Sequence, residues 1–298
     1  MKKPFRMLLF LFPLFFCLTC KSAPPAEPLP VPSVSLSFDH AGAENLDKAI
    51  LYYHLTVENP HTVPAAFDLR DWSVMVNGVD LDKKDLVLAT GGTPAEGTVI
   101  TAGAGESAEV IFALALDLWL FHGSGSLPGA SDISDDYIAV LKLDLSWRYD
   151  TEKPVPCTVQ ADAVFPRIRE PQFTITSIAI LQAELVNTRF KVRLRIDNPN
   201  AFPVDLSSFG YELYGEGRFW ADGTEKNVLH IPAKGAAETN LFLVMNFINM
   251  KRSLLDEVIA MNLVRYRFSG ELEVETGVSY LPKFHMSFDR SGDSVVLK

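Results

Sequence analysis

Cysteine is scarce in this 298-residue chain: there are three, and Cys17 and Cys20 both fall within the first 20 residues. With those two set aside, Cys157 has no thiol to pair with, which excludes a disulfide-stapled fold and a four-cysteine zinc site. Cys157 reads as a small buried apolar residue. An apolar run long enough to cross a bilayer, about 20 residues, is also missing from the N-terminus, where Met7–Phe16 is interrupted by Pro13. Positive charge is in deficit too. The formal net charge is −10, and removing the first 19 residues takes away Lys2, Lys3 and Arg6 and leaves −13. Such a chain is repelled by phosphate backbones and anionic lipid heads, which argues against nucleic acid as a partner. Local basic runs such as Lys191-Val-Arg-Leu-Arg195 are too small to reverse that balance.

Catalytic and metal signatures are absent as well. His40, His54, His61, His122, His230 and His285 are scattered, with no H-E-x-x-H and no cysteine at metal spacing. Asp80-Leu-Asp82-Lys-Lys-Asp85 lacks the central glycine and distal glutamate of a calcium loop and reads as a solvated loop. Gly103-Ala-Gly105 and Gly123-Ser-Gly125 read as turns, Asp135-Asp136 as the start of a strand or a turn cap, and no G-x-S-x-G occurs. Neither an enzyme nor a bound cofactor or metal is expected.

What is present begins with a targeting segment. Lys2, Lys3 and Arg6 precede the apolar Met7–Phe16, the pattern of a secretory signal. It ends in Phe16-Cys-Leu-Thr-Cys20-Lys-Ser22 without a small-residue cleavage site, and so resembles a bacterial lipobox. In that reading residues 1–20 are the lipoprotein signal, Cys20 is acylated, and Cys17 is the alternative. Two or three acyl chains hold a folded domain on a membrane. Residues 21–32 contain five prolines and form an extended tether.

Beyond the tether one stretch occurs twice. Residues 53–64 read Tyr-His-Leu-Thr-Val-Glu-Asn-Pro-His-Thr-Val-Pro, and residues 192–203 read Val-Arg-Leu-Arg-Ile-Asp-Asn-Pro-Asn-Ala-Phe-Pro, 139 positions later. Tyr53, Leu55 and Val57 alternate with His54, Thr56 and Glu58, as Val192, Leu194 and Ile196 do with charged neighbours, the period of a strand with one buried face. Asn59 and Asn198 are kept extended by the following prolines. Pro60 and Pro199 end the ladder, and the asparagine side chains are suited to Asx turns. Trp72 and Tyr211 stand at the same offset in the next strand. Ile100–Val110 resembles Ile231–Leu241, and Leu143–Tyr149 has its counterpart in Phe268–Val274. The first copy is longer, and its extra residues fit loops at Gly91–Gly97 and Gly123–Asp135.

Apolar residues at three-to-four spacing predict one helix over Asn249–Asn262, with only a short helical turn at the corresponding place in the first copy, Asp117–Tyr137. The expected fold is mainly β: two tandem antiparallel immunoglobulin- or fibronectin-like sandwiches, residues 33–167 and 168–298. They are joined at Phe165-Pro-Arg-Ile-Arg-Glu-Pro171, a connector short enough to limit how freely they swing.

Both copies resemble the water-stress and hypersensitive-response (WHy) domain of late embryogenesis abundant proteins of type 2. Asn198-Pro199-Asn200 matches its Asn-Pro-Asn sequence, whereas Asn59-Pro60-His61 departs at the third residue. The resemblance implies a non-catalytic protein associated with desiccation or osmotic stress. With the lipobox, it implies an envelope lipoprotein whose partner is the membrane that holds its anchor. An adaptor that docks an envelope protein, peptide or lipid through one sandwich is the second reading.

Overall fold

The computed structural model describes residues 30–83, 86–121, 134–150, 153–183, 188–245, 259–260 and 263–297. Cys17, Cys20 and most of the tether lie outside these residues, as does the helix expected over 249–262 apart from Ile259 and Ala260, which are helical. Among the described residues the chain is mainly β, with no helix of seven residues or more. Within Asp117–Tyr137, where a short turn is expected, a 3-10 turn forms at Leu118–Phe121, and residues 122–133 lie outside the described ones.

The N-terminal half contributes β1 (Ser33–Asn45), β2 (Lys48–Glu58), β3 (Ala65–Val76), β4 (Val79–Asp80), β5 (Val87–Thr90), β6 (Thr93–Pro94), β7 (Val99–Ala102), β8 (Ser107–Asp117), β9 (Asp136–Tyr149) and β10 (Val155–Pro166). They form one sheet in the order β1-β2-β8-β5-β6 and a second in the order β10-β9-β3-β4, with β7 also on β3. Strict alternation makes the inner faces. Leu51, Tyr53, Leu55 and Val57 of β2 are buried, as are Leu141, Leu143 and Leu145 of β9. Tyr53 crosses from one sheet to donate its hydroxyl to the Ala139 carbonyl of the other, at 3.4 Å. Burial pushes that phenol upward, and Asp162 adds to the shift.

The C-terminal half contributes β11 (Gln172–Gln182), β12 (Thr188–Asp197), β13 (Val204–Gly215), β14 (Arg218–Glu225), β15 (Leu229–Ile231), β16 (Ala236–Met245), β17 (Leu263–Glu275) and β18 (Lys283–Leu297). Here β11-β12-β16 repeats the order β1-β2-β8, and β18-β17-β13 repeats β10-β9-β3, with β15 on β13 as β7 is on β3. The core is aromatic: Phe173 of β11 stacks on Phe288 of β18 at 4.4 Å, and Phe209 and Phe268 pack around them. Gly270 makes room for this. A side chain there would meet the Gly210 carbonyl at 2.1 Å and the Phe288 ring at 2.7 Å.

Correspondence reaches single turns. Asn77-Gly78 and Glu216-Gly217 both carry two successive positive φ values (49° and 82°, 49° and 72°), the geometry of a tight hairpin turn. Asn77 exchanges its N–H and Oδ1 with the backbone of Ile138, and Glu216 exchanges its N–H and Oε1 with the backbone of Arg265.

Two departures from the sequence reading stand out. The Gly91–Gly97 stretch is not a plain loop: Gly91-Gly92 turns β5 into β6, and this hairpin extends the first sheet beyond β8. The ladders are also not all antiparallel, since β11 pairs parallel with β18 through Ser177, Ile178 and Ala179. That short ladder joins the two sheets of the C-terminal half along one edge, where β1 and β10 have no ladder. Period-two patterning fixes which face a residue occupies but not which strand lies beside it.

Candidate functional site: the paired Asn-Pro turns and the connector

The two asparagines of the repeated motif are both buried, in positions where a polar side chain must find partners or cost stability. Asn59 donates its Nδ2 to the carbonyls of Val63 (2.8 Å), Ala102 (3.2 Å) and Gly103 (2.7 Å), and its Oδ1 accepts the His61 N–H at 3.0 Å. Asn198 donates to Phe202 (2.8 Å), Ile231 (3.4 Å) and Pro232 (3.1 Å), and its Oδ1 accepts the Asn200 N–H at 3.0 Å. The backbone repeats too, with Asn59 N–H bonded to Glu106 O and Asn198 N–H to Gly235 O. Each amide therefore ties its own turn, four residues ahead, to the strand end that precedes β8 or β16. Both N–H donors and the carbonyl oxygen are engaged, which leaves a ligand little to bind.

The third residues part company. Asn200 is fully buried, and its side chain forms a closed pair with the Arg169 backbone: Oδ1 accepts the Arg169 N–H at 2.7 Å while Nδ2 donates to the Arg169 carbonyl at 2.8 Å. Nδ2 also reaches Asn198 Oδ1 at 2.9 Å. His61 makes no such pair. Its ring packs on Tyr149 at 4.6 Å and its Nδ1 accepts the Val63 N–H. At the same 139-residue offset, Arg169 corresponds to Pro30, which has no N–H to offer. The carbonyl of Pro30 is instead held by the Tyr149 hydroxyl at 2.7 Å. The asparagine at the third position thus stands where the connector can be gripped by both backbone groups of Arg169.

Arg169 lies in the connector, and the connector is packed rather than free. Arg167 is buried, donates its N–H to Asp135 O and its Nη2 to Phe121 O, both at 2.8 Å, and lies over the Tyr137 ring. Arg169 reaches Asp135 Oδ1 (3.1 Å) and Ser134 O (2.7 Å). Lys234 comes from the C-terminal half, bonding Asp135 with its ammonium and donating to Pro199 O at 2.9 Å. The bond to Lys234 above all, helped by the one to Arg169, holds the Asp135 carboxyl below its ordinary range against an opposing desolvation. Tyr280 donates to Pro166 O at 2.6 Å, and its ring meets Phe165 edge-on. None of Arg167, Asp135, Lys234 or Tyr280 was singled out in the sequence as a contact of the connector. Their one visible signal is that Arg-Ile-Arg-Glu carries too much charge and too few small residues for a flexible linker.

Other sequence candidates do not converge. His54 lies near Glu109, His230 near Asp205 and His285 near Glu273, each on a surface strand. Among the described residues no group of three or more His, Cys, Asp or Glu side chains could hold a metal. No helix among them is long and apolar enough to cross a membrane. Burial pushes the half-buried Cys157 thiol up, the opposite of an activated nucleophile.

The geometry defines a β-sheet protein built on asparagine-held turns and a clamped connector. Residues 193–289, from β12 through the Asn-Pro-Asn turn into β18, match the family model described as late embryogenesis abundant protein, and the C-terminal half carries that domain. A comparison with curated proteins finds no match. Among solved structures, the chain is similar to a crystal structure of a protein from Archaeoglobus fulgidus, at 13% identity and a TM-score of 0.26, covering 43% of this chain and 96% of that one. It is likewise similar to a solution structure of a protein from Arabidopsis thaliana, at 13% identity and a TM-score of 0.35, covering 45% of this chain and 87% of that one.

Proposed function

We propose that this chain is a non-catalytic envelope lipoprotein with two tandem WHy-like sandwiches, residues 33–167 and 168–298, that is associated with desiccation or osmotic stress. The observation that carries the tandem reading is the repetition of the Asn59 hydrogen bonds at Asn198, donor for donor and acceptor for acceptor. The family domain at residues 193–289 supports the link to stress. In this reading Asn59, Pro60, His61, Asn198, Pro199 and Asn200 hold the fold and bind no ligand, because the asparagine amides are spent on backbone and on each other.

The anchor is proposed from the sequence alone. Lys2, Lys3 and Arg6, the apolar run behind them and Cys20 would leave an acylated N-terminus on the proline-rich tether, with the folded halves beyond it. Labelling growing cells with a radioactive fatty acid tests this: the wild-type protein takes up label and the Cys20→Ala variant does not. Equal labelling of the two would move the anchor to Cys17 or remove it. A deletion strain that survives drying and osmotic shock as well as its parent would sink the stress assignment.

A further inference from the structure

The outer face of the β11-β12-β16 sheet carries a row of basic residues on this acidic chain. Arg189, Lys191, Arg193 and Arg195 all point outward from β12, because Phe190, Val192 and Leu194 point in. Arg195 is held by Asp197, at 2.6 Å. The other three carry no ion pair among the described residues. Each faces a residue of β16 on the same surface: Arg189 opposes Val244, Lys191 opposes Phe242 and Arg193 opposes Asn240. Phe242 is 68% exposed and Val244 59%. On the other side of β12, across β11, Leu297 and Val295 of β18 face outward at 51% and 46%, beside Leu263 of β17 at 55%. The result is a row of cations with exposed Phe242 and Val244 beside it on β16 and, beyond Ser177, Ala179 and Gln182 of β11, exposed aliphatic groups of β17 and β18, a combination that marks an interaction surface.

The fold does not require it. The matching positions in the N-terminal half are Ile50 opposite Ala115, Tyr52 opposite Ala113, and His54 opposite Ile111. There β5 pairs with β8 over Phe112–Ala115 and covers the edge. No described strand does this for β16.

We infer that this face docks on a bilayer containing anionic lipids, with Arg189, Lys191 and Arg193 at the headgroups and Phe242 and Val244 entering the interface. Charge complementarity selects the partner, and the planar arrangement selects a surface over a peptide. The cations are spaced about 6.7 Å apart along a strand and spread over a sheet face that β16 continues. The net charge of −10 does not forbid this. Screening acts over about 8 Å at physiological salt, so acidic groups on the opposite sheet are hidden from a membrane that this face touches. On the face itself Asp197 and Glu238 gather at Arg195 and Asp293 lies in the Val295 row, at the other end from Arg189 and Lys191. The inference stands on the face alone and does not depend on the lipid anchor.

Co-sedimentation of the full chain with vesicles tests it, comparing variants that share one N-terminus so that its contribution cancels. The parent is expected to bind vesicles of phosphatidylglycerol mixed with phosphatidylcholine more tightly than phosphatidylcholine alone, and salt weakens the difference. The triple variant Arg189→Gln, Lys191→Gln, Arg193→Gln is expected to lose at least about tenfold, since each cation at an anionic leaflet contributes roughly fivefold. Phe242→Ser with Val244→Ser is expected to weaken binding to the anionic vesicles as well. Thermal unfolding of each variant, unchanged from the parent, separates lost binding from lost folding. Equal binding by parent and triple variant overturns the proposal. So does binding of an acidic peptide such as polyglutamate without binding of vesicles, which would assign the face to a protein partner.

Discussion

Replacing Asn198 with alanine is expected to destabilise the C-terminal half by about 3–4 kcal/mol, since each buried polar group left without a partner costs roughly 1–3 kcal/mol. The substitution removes the donor for the Phe202, Ile231 and Pro232 carbonyls and the acceptor for the Asn200 N–H. Partial entry of water keeps the loss below the full sum. Denaturant unfolding reads it as a fall in midpoint without a change in slope. An isosteric change sharpens the test. Asn198→Asp keeps the acceptor but turns a second oxygen toward three carbonyls, which raises its folded pKa above the unfolded value of about 3.9. Below that pH the carboxyl is protonated in both states and donates where the amide did, so the deficit is smallest. As pH rises from the unfolded value toward the folded one, the folded state alone resists ionisation, and the deficit grows until both states are ionised. A deficit that shrinks toward neutral pH would contradict this account.

The second large effect is expected at Asn200. Alanine there opens the closed pair with the Arg169 backbone and leaves both groups of that residue part-buried, at a cost of about 2–3 kcal/mol. Histidine, the residue that the first copy uses, is expected to be as damaging as alanine. An imidazole cannot present an acceptor and a donor side by side to one peptide unit, and in the first copy Pro30 offers no N–H to meet it. The reciprocal change, His61→Ala, removes a ring contact and one acceptor at a half-exposed site and is expected to cost about 1 kcal/mol or less. Calorimetry distinguishes the two sites further. The clamp at Arg169 joins the C-terminal half to a connector whose Arg167 is packed on Tyr137 of the N-terminal half. Asn200→Ala is therefore expected to broaden or split the melting transition, whereas His61→Ala leaves one transition. A single sharp transition in both would mean that the halves are coupled elsewhere.

Much of this arrangement is legible in the sequence, because alternation of Tyr53, Leu55 and Val57 against polar neighbours leaves a strand no other way to bury its apolar face. The Asn-Pro turns are legible for the same local reason. What a strand pairs with is not local. Nothing in Ser177-Ile-Ala179 foretells a parallel ladder with Val295-Val-Leu297, and nothing near Gly91 shows that its hairpin will lie beside β8. The shortness of the connector limits its motion, but its tethering contacts come from Asp135, Lys234 and Tyr280, far away in the chain. The basic run from Arg189 to Arg195 illustrates a different gap. Counted as charge it is too small to matter in a chain of −10. Counted as a face it is a row of cations beside Phe242 and Val244, and that adjacency exists only once β16 is paired with β12.

The central claim is that the repeated asparagines hold backbone and not ligand, and hydrogen exchange at the amides of His61 and Asn200 tests it most directly. Both N–H groups lie outside any ladder, and each is bonded to the Oδ1 of the asparagine two residues before it. Exchange slowed to the rate of the flanking strands, and restored to the rate of an open loop by Asn59→Ala and Asn198→Ala respectively, is the predicted result. Free exchange at both amides in the unmodified protein would contradict the account.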